Sequence, residues 1–526
     1  MQLTTQRRLA CLAALTVVAP LLLTACASAS SELAGDEVTL LVPVMANSWD
    51  TRQTASSLLS MQLLVTEPLE VYNADGTFEA ALATEVDHPD AVTYIYTIRP
   101  DVAFSNGTEL TPADVKYSFE LHMGEATTSY MARYWTGVAD VSLLGDDQVQ
   151  VTLSAADPEF PFTVSKTGIV SQAVYEANGD QVGTPDIPNI GTGPFTFDKF
   201  TAMSSVSMVA NPDYWGAEPT IEKLTFEQAK DDSSRLLALQ SGQVDGILGA
   251  PLSQLPAFEA LDGFASVTAP DLGVYKVSFD TTKAPFDDIH VRAAIAHAID
   301  RDSLIQGAFG GKATVADSFV TEDALAALGE SGPAVEALSG FASDFEFDLD
   351  AAKDEMEKSS APDGFAIEIP VQSSDPSQSL VAQIIAQQLA EIDITATVTS
   401  SDDNTYVAAV NLEHSTDGLI VDSWSAGSPE PANIPRAMLT PGSIGNVAQF
   451  DDPAVSASLA NYYSMAVDDP SRQQAFIEML TQSHSTMTFI PIAFPDAYAF
   501  SGNGVTINGF ESFWWLTRLT DSLGNK

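Results

Sequence analysis

Two cysteines stand in the 526 residues, and both, Cys11 and Cys26, fall near the N-terminus. Beyond Cys26 no thiol is left, which removes disulfide bridges, thiol nucleophiles and cysteine-held metals from the rest of the chain. Basic residues are also scarce, 22 Lys and Arg against 71 Asp and Glu, for a net charge of −49. Such a surface repels phosphate backbones, so nucleic acid is excluded as a partner. It favours solubility and suits a salty medium without identifying a ligand. Only six histidines occur. His290 and His297 share a helix face but lie about 10 Å apart along its axis, too far to chelate one ion unaided, and His414 and His484 are isolated in sequence. There is no G-x-S-x-G and no H-E-x-x-H, and no pattern selects a catalytic pair from the many carboxylates. The composition predicts a protein that is not an enzyme and holds no cofactor.

One long apolar run is present, Leu9 to Leu23, preceded by Arg7 and Arg8 and closed by Leu23-Thr24-Ala25-Cys26. At about 15 residues it is short of the ~20 that a spanning helix needs. Its layout is that of a secretory signal with a small-residue cleavage site. The closing tetrapeptide resembles a bacterial lipobox, which implies cleavage before Cys26 and lipid on its sulfur. Residues 1–25 then form a lipoprotein signal peptide, and the small, polar stretch 26–37 a flexible tether. The mature chain is expected on the extracytoplasmic face of the cell membrane.

From Val38 the pattern is that of an α/β protein. "VTLLVPV" (38–44) reads as a buried strand, Ser56 to Val65 as a helix, "TYIYTIRP" (93–100) as a half-buried strand and "VQVTL" (149–153) as another. Between the last two lies "FSNGTELTPADVKYSFE". There Asn106-Gly107 makes a turn, Thr111 caps a helix, Pro112 opens it, and Asp114 completes a capping-box pattern. Later, "TIEKLTFEQ" (220–228), the capped helix "DDSSRLLALQSG" and the strand "VDGIL" form a strand–helix–strand unit with parallel pairing. "KAPFDDIHVRAAIAHAIDRDSL" (283–304) reads as one capped helix with Val291, Ile295, Ala298 and Ile299 on one face. The alternation continues with helix 350–358, strand 365–371, helix 377–391, strands 392–398 and 417–421, helices 453–466 and 470–487, and strand 488–494.

Three long blocks in order, "TYIYTIRPDVAFSNGTELTPADVKYSFE" (93–120), "GTGPFTF…ANPDYWGAEPTIEKLTF…SSRLLALQSGQVD" (191–245) and "APFDDIHVRAAIAHAIDRDSL" (284–304), resemble the extracellular solute-binding proteins of family 5, which deliver peptides, nickel complexes and related solutes to ABC importers. Asp101 stands where that family usually has Gly, and Asn106 where it has Asp; both keep turn chemistry. The resemblance implies a two-lobed α/β fold of the periplasmic-binding-protein type (type II) with an additional inserted α/β subdomain. The first lobe is expected at 38–66, 190–277 and 490–526, the insertion at 67–189, and the second lobe at 278–489. It further implies a monomer that hands peptides, or another small solute such as a nickel complex or oligosaccharide, to membrane permease subunits, or that senses the solute.

In peptide-binding members a second-lobe strand ends in Gly-Trp-x-x-Asp, the Trp forming a pocket wall and the Asp pairing with the peptide amino terminus. Here "DSWSAG" places Ser423 before Trp424, then Ser425, and Gly427 at the aspartate position, so that anchor is missing. A buried ammonium without a partner costs several kcal/mol, which makes Glu430 and Asp422 the candidate replacements. The alternative is a cargo with no ammonium there, and His414, near this loop, keeps a metal-chelate cargo open. Trp49 and Asp50, following the first strand, Tyr134 and Trp135 in the insertion, and Tyr275 complete the expected ligand-binding set; Cys26 is the expected lipidation site, and no metal ligands are expected.

Overall fold

The computed structural model describes residues 37–53, 58–73, 77–124, 127–229, 231–328, 332–466, 469–510, 512–513, 519 and 523–525. The signal peptide, Cys26 and all but the last residue of the tether lie outside them, as does the start of the helix expected from Ser56, of which Leu59–Gln62 is seen.

The strand Glu37–Val42 pairs in parallel with both Lys223–Gln228 and Gly246–Leu248, as the strand–helix–strand pattern requires. It lies near the centre of a ten-stranded assembly whose main path runs 419–425, 273–279, 489–501, 246–248, 37–42, 223–228, 205–210, 195–201, with 265–270 and 313–315 pairing off the path on 489–501. The strand Phe489–Ser501 spans it. Its first residues pair with Gly273–Phe279 and its last with Gly246–Leu248 and Ala265–Pro270. The sequence places the end of this strand at 494; pairing with Ala265–Pro270 carries it on to Ser501.

Two cores flank this long strand. One packs the helices Ile289–Ala298, Leu349–Lys358 and Pro376–Leu389 on the parallel pair Phe365–Gln372 and Ile394–Ser401. The other gathers Leu40, Trp49, Met208 and Phe226 around the first strand. A third core belongs to a separate four-stranded antiparallel sheet in the order 83–90, 93–98, 148–153, 138–144. This is the expected two-lobed α/β architecture with an inserted subdomain. Among the described residues no helix is long and apolar enough to cross a membrane.

Local chemistry follows the sequence closely at the cap of helix Pro112–Glu120, where Thr111 and Asp114 form a reciprocal capping box. Asp101 takes a left-handed φ of 59°, the conformation that glycine occupies at least cost, which explains the glycine usual in the family. The stretch 283–304 departs from expectation: it forms two helices, Ile289–Ala298 and Arg301–Phe309. Ile299 is extended, and Asp300 accepts the backbone N–H of Ser303 as an N-cap, so a new helix starts there. The face predicted for the first helix holds; Val291, Ile295, Ala298 and Ile299 are all buried.

Candidate functional site

A cavity of about 420 Å³ opens where strand ends from both flanking cores meet the inserted subdomain, a size within the range of small-solute sites. Val42 to Val44 and Leu248-Gly249 continue the parallel strands of the first core into its wall. Arg133 and Tyr134, on the short helix Ala132–Trp135, come from the insertion. Pro270 to Leu272 join two strands that pair with the long strand, and Ser425 to Gly427 end the strand Leu419–Ser425. Among the described lining residues Arg133 and Asp271 carry the only charges.

Gly427 is held between the insertion and the sheet. Its N–H donates to Asn433 Oδ1 at 2.8 Å, and its carbonyl accepts from Lys166 Nζ. A Cβ at this position would sit 3.2 Å from the Tyr134 hydroxyl and 3.7 Å from Lys166 Nζ. The Lys166 ammonium, buried and 4.5 Å from the centre of the Tyr134 ring, therefore stands where an acid at position 427 would point. Burial lowers its pKa, opposed by Tyr134 and Glu159. Glu159 completes the clasp: it accepts from Ser428 Oγ at 2.6 Å, Asn433 Nδ2 at 2.5 Å and the Tyr463 hydroxyl at 2.7 Å.

Both candidate replacement anchors are already engaged. Asp422 Oδ1 lies 2.5 Å from Lys276 Nζ, and that lysine is fully buried. Glu430 pairs with Arg472 at 2.7 Å and accepts from the Tyr462 hydroxyl; burial raises its pKa while these partners lower it. Neither carboxylate lines the cavity, and a solute amine would have to displace a buried internal cation to reach either one.

The aromatic candidates divide in the same way. Tyr134 faces the cavity. Trp49 is 1% exposed and packed on Phe197 and Phe200, with no free face for a solute. Asp50 is equally buried, bound to Arg52 at 2.6 Å and to the Tyr175 hydroxyl. The Trp49–Asp50 backbone packs on Gly183, whose φ of 83° and lack of a side chain permit the contact; a Cβ there would fall 2.0 Å from Asp50 N. Trp135, 2% exposed, packs against Phe119 and Phe160 in the core of the insertion. Tyr275 sets its ring on Phe309 and its hydroxyl 3.2 Å from Asp375, away from the cavity. Trp424 is half-buried against a hydrophobic cluster and meets Gly445, while the next three residues line the cavity. On the strands Gly273–Phe279 and Leu419–Ser425 side chains alternate between faces, which turns Tyr275 and Trp424 toward packed clusters; Trp49, Asp50 and Trp135 lie off the strands and are buried by their neighbours.

Arg133 and Asp271 were missed by the sequence reading. A faint signal existed for each: Arg133 adjoins a flagged tyrosine in a chain poor in cations, and Asp271 sits in a Pro-Asp-Leu-Gly turn before a strand. Among the histidines, His290 meets Glu355, His297 the Glu346 carbonyl, His484 Asp344 and His414 Gln449. No group of three His, Cys, Asp or Glu able to hold a metal occurs among the described residues.

Residues 77–446 match the model of the bacterial extracellular solute-binding proteins, family 5. The chain is 25% identical over 495 residues to the nickel-binding periplasmic protein of Escherichia coli K12, covering 90% of this chain and 92% of that one. In structure it is similar to the periplasmic binding protein DppA from Helicobacter pylori in complex with the peptide STSA, with a TM-score of 0.78, 21% identity and coverage of 94% and 99%. It is also similar to a dipeptide binding protein from Pseudoalteromonas sp. SM9913 in complex with Met-Leu, with a TM-score of 0.78, 19% identity and coverage of 93% and 100%.

Proposed function

The chain belongs to the bacterial extracellular solute-binding proteins of family 5, and from that premise we propose that it captures short peptides outside the cytoplasm and delivers them to an ABC permease. The observation that carries this reading is the 420 Å³ cavity, walled by both flanking cores and the insertion and bearing one acid and one base among its described lining. Both a peptide's charged ends and its apolar side chains have counterparts there. The lobes are assigned as 38–66, 190–277 and 490–526 for the first, 278–489 for the second, and 67–189 for the insertion. The first boundary at 490 falls inside the continuous strand Phe489–Ser501, so the hinge belongs to the middle of that strand and to the neighbouring 270–273 connection. Closure about it favours the liganded state because the solute touches both sides.

Lipid on Cys26 would tether the protein to the membrane; Cys26→Ser is expected to move it from the membrane fraction to the soluble one. The solute assignment is tested by thermal unfolding of the mature chain with free peptides, amino-blocked peptides, oligosaccharides and nickel chelates. A true ligand at 100 Kd adds about 2.7 kcal/mol of apparent stability. Stabilisation by sugars or chelates and by no peptide would overturn the proposal.

A further inference from the structure

Resting on the peptide reading above, we infer that the amine anchor of this chain has moved from position 427 to Asp271, and that Arg133 receives the carboxylate at the other end of a short peptide. Position 427 cannot serve, since Lys166 already places an ammonium beside it. Asp422 and Glu430 are committed to Lys276 and Arg472. Asp271 is the one carboxylate among the described residues lining the cavity, and no described cation pairs with it.

The surroundings of Asp271 are those of a waiting anchor. A Cβ on Gly273 would lie 2.8 Å from Ser425 Oγ and 3.2 Å from Asp271 Oδ1, so hydroxyl and carboxylate stand side by side over the glycine, and both residues line the cavity. An ammonium reaching them from the cavity would gain a charge-assisted bond and a neutral acceptor. Loss of hydration pushes the Asp271 carboxyl up to about 6, Asp496 adding to the rise and the Gly273 N–H opposing it. An incoming cation relieves that cost, which makes the contact worth more than one to a solvated acid.

The opposite end is positive. Arg133 donates to the Tyr134 hydroxyl at 2.8 Å, is exposed on the cavity side, and has no carboxylate partner among the described residues. Tyr134 touches Gly427, while Ser425 adjoins Asp271. Ser425 and Gly427 thus mark two sides of the cavity wall, the acid beside one and the base beside the other.

The experiment uses an equimolar mixture of L-dipeptides in free, N-acetylated and C-amidated forms, with affinities read from concentration-dependent thermal shifts of the mature chain. The wild type is expected to bind the free form at least tenfold more tightly than either blocked form. Asp271→Asn should bring the free-to-acetylated ratio close to one and keep the free-to-amidated ratio; Arg133→Gln should do the reverse. If Asp271→Asn keeps the wild-type preference for free over acetylated peptide, the anchor lies elsewhere and the inference fails while peptide binding stands. Equal binding of free and acetylated forms by the wild type overturns the inference in the same way. If no form stabilises the wild type, peptide capture itself fails.

Discussion

Asp422 and Asp271 sit on neighbouring paired segments, yet they meet opposite fates. Asp422 is in the interior of the sheet, matched to a lysine as buried as itself. Asp271 is at the cavity edge, partly removed from water and matched to no described cation. The lesson is that a carboxylate's availability depends on what already faces it, and sequence distance from the ligand loop says little. Glu70 is a third case: it is buried, its Oε2 has no partner among the described residues, and desolvation lifts its pKa to about 7.

The sharpest way to break this comparison is to unmatch Asp422. Lys276→Ala leaves a buried charge uncompensated and is expected to cost about 3–5 kcal/mol, measured by denaturant unfolding; the double variant Lys276→Met with Asp422→Leu should recover most of that loss. A cost below about 1 kcal/mol would mean that water reaches the pair. Next comes Glu70. Its folded pKa is raised above the unfolded value, so the wild type loses stability as pH rises from about 4.5 through about 7, by about 3 kcal/mol. Glu70→Gln should remove that slope and leave acidic-pH stability little changed; a persisting slope would assign it to another group.

Trp424→Ala follows, with a loss of about 2 kcal/mol, less than for a fully buried tryptophan because the residue is only partly buried. A place on the pocket wall, as the family resemblance implies for Trp424, would instead predict weaker binding with the fold intact. The ring's place against the cluster and Gly445 reverses the order: stability should fall more than peptide affinity, and titration of the folded variant decides between them. The smallest effect is on pH dependence of binding. A peptide ammonium stays charged well above pH 6, so affinity should hold above about pH 6 and fall by up to tenfold per unit below it as Asp271 protonates. The charged groups facing that carboxyl are Asp496, itself influenced by Asp323 and Lys312, and Arg133 across the cavity. A flat profile from pH 5 to 7 would point to an anchor of ordinary acidity.

The sequence made the elements largely legible, because caps and periodicity are local. The Thr111–Asp114 box, the parallel strands around Glu37–Val42 and the helix Leu349–Lys358 formed where short-range chemistry put them. It missed the break at Ile299, where an N-cap aspartate interrupts an otherwise continuous apolar face, and the length of Phe489–Ser501, which strands on both sides stabilise. The site was less legible. Ser425, Gly427 and Tyr134 were marked and line the cavity; Trp49, Asp50, Trp135 and Tyr275 were marked and pack elsewhere.

The amino-acid order by itself determined the family, the α/β alternation and the loss of the acid at position 427, since each is written in contiguous residues. Only the tertiary structure decided which carboxylate is left for a ligand. Lys276 is 146 residues from Asp422, Arg472 is 42 from Glu430, and Lys166 is 261 from Gly427. Charge pairing acts through space over a few ångströms, and it is the fold that brings such distant residues within that range.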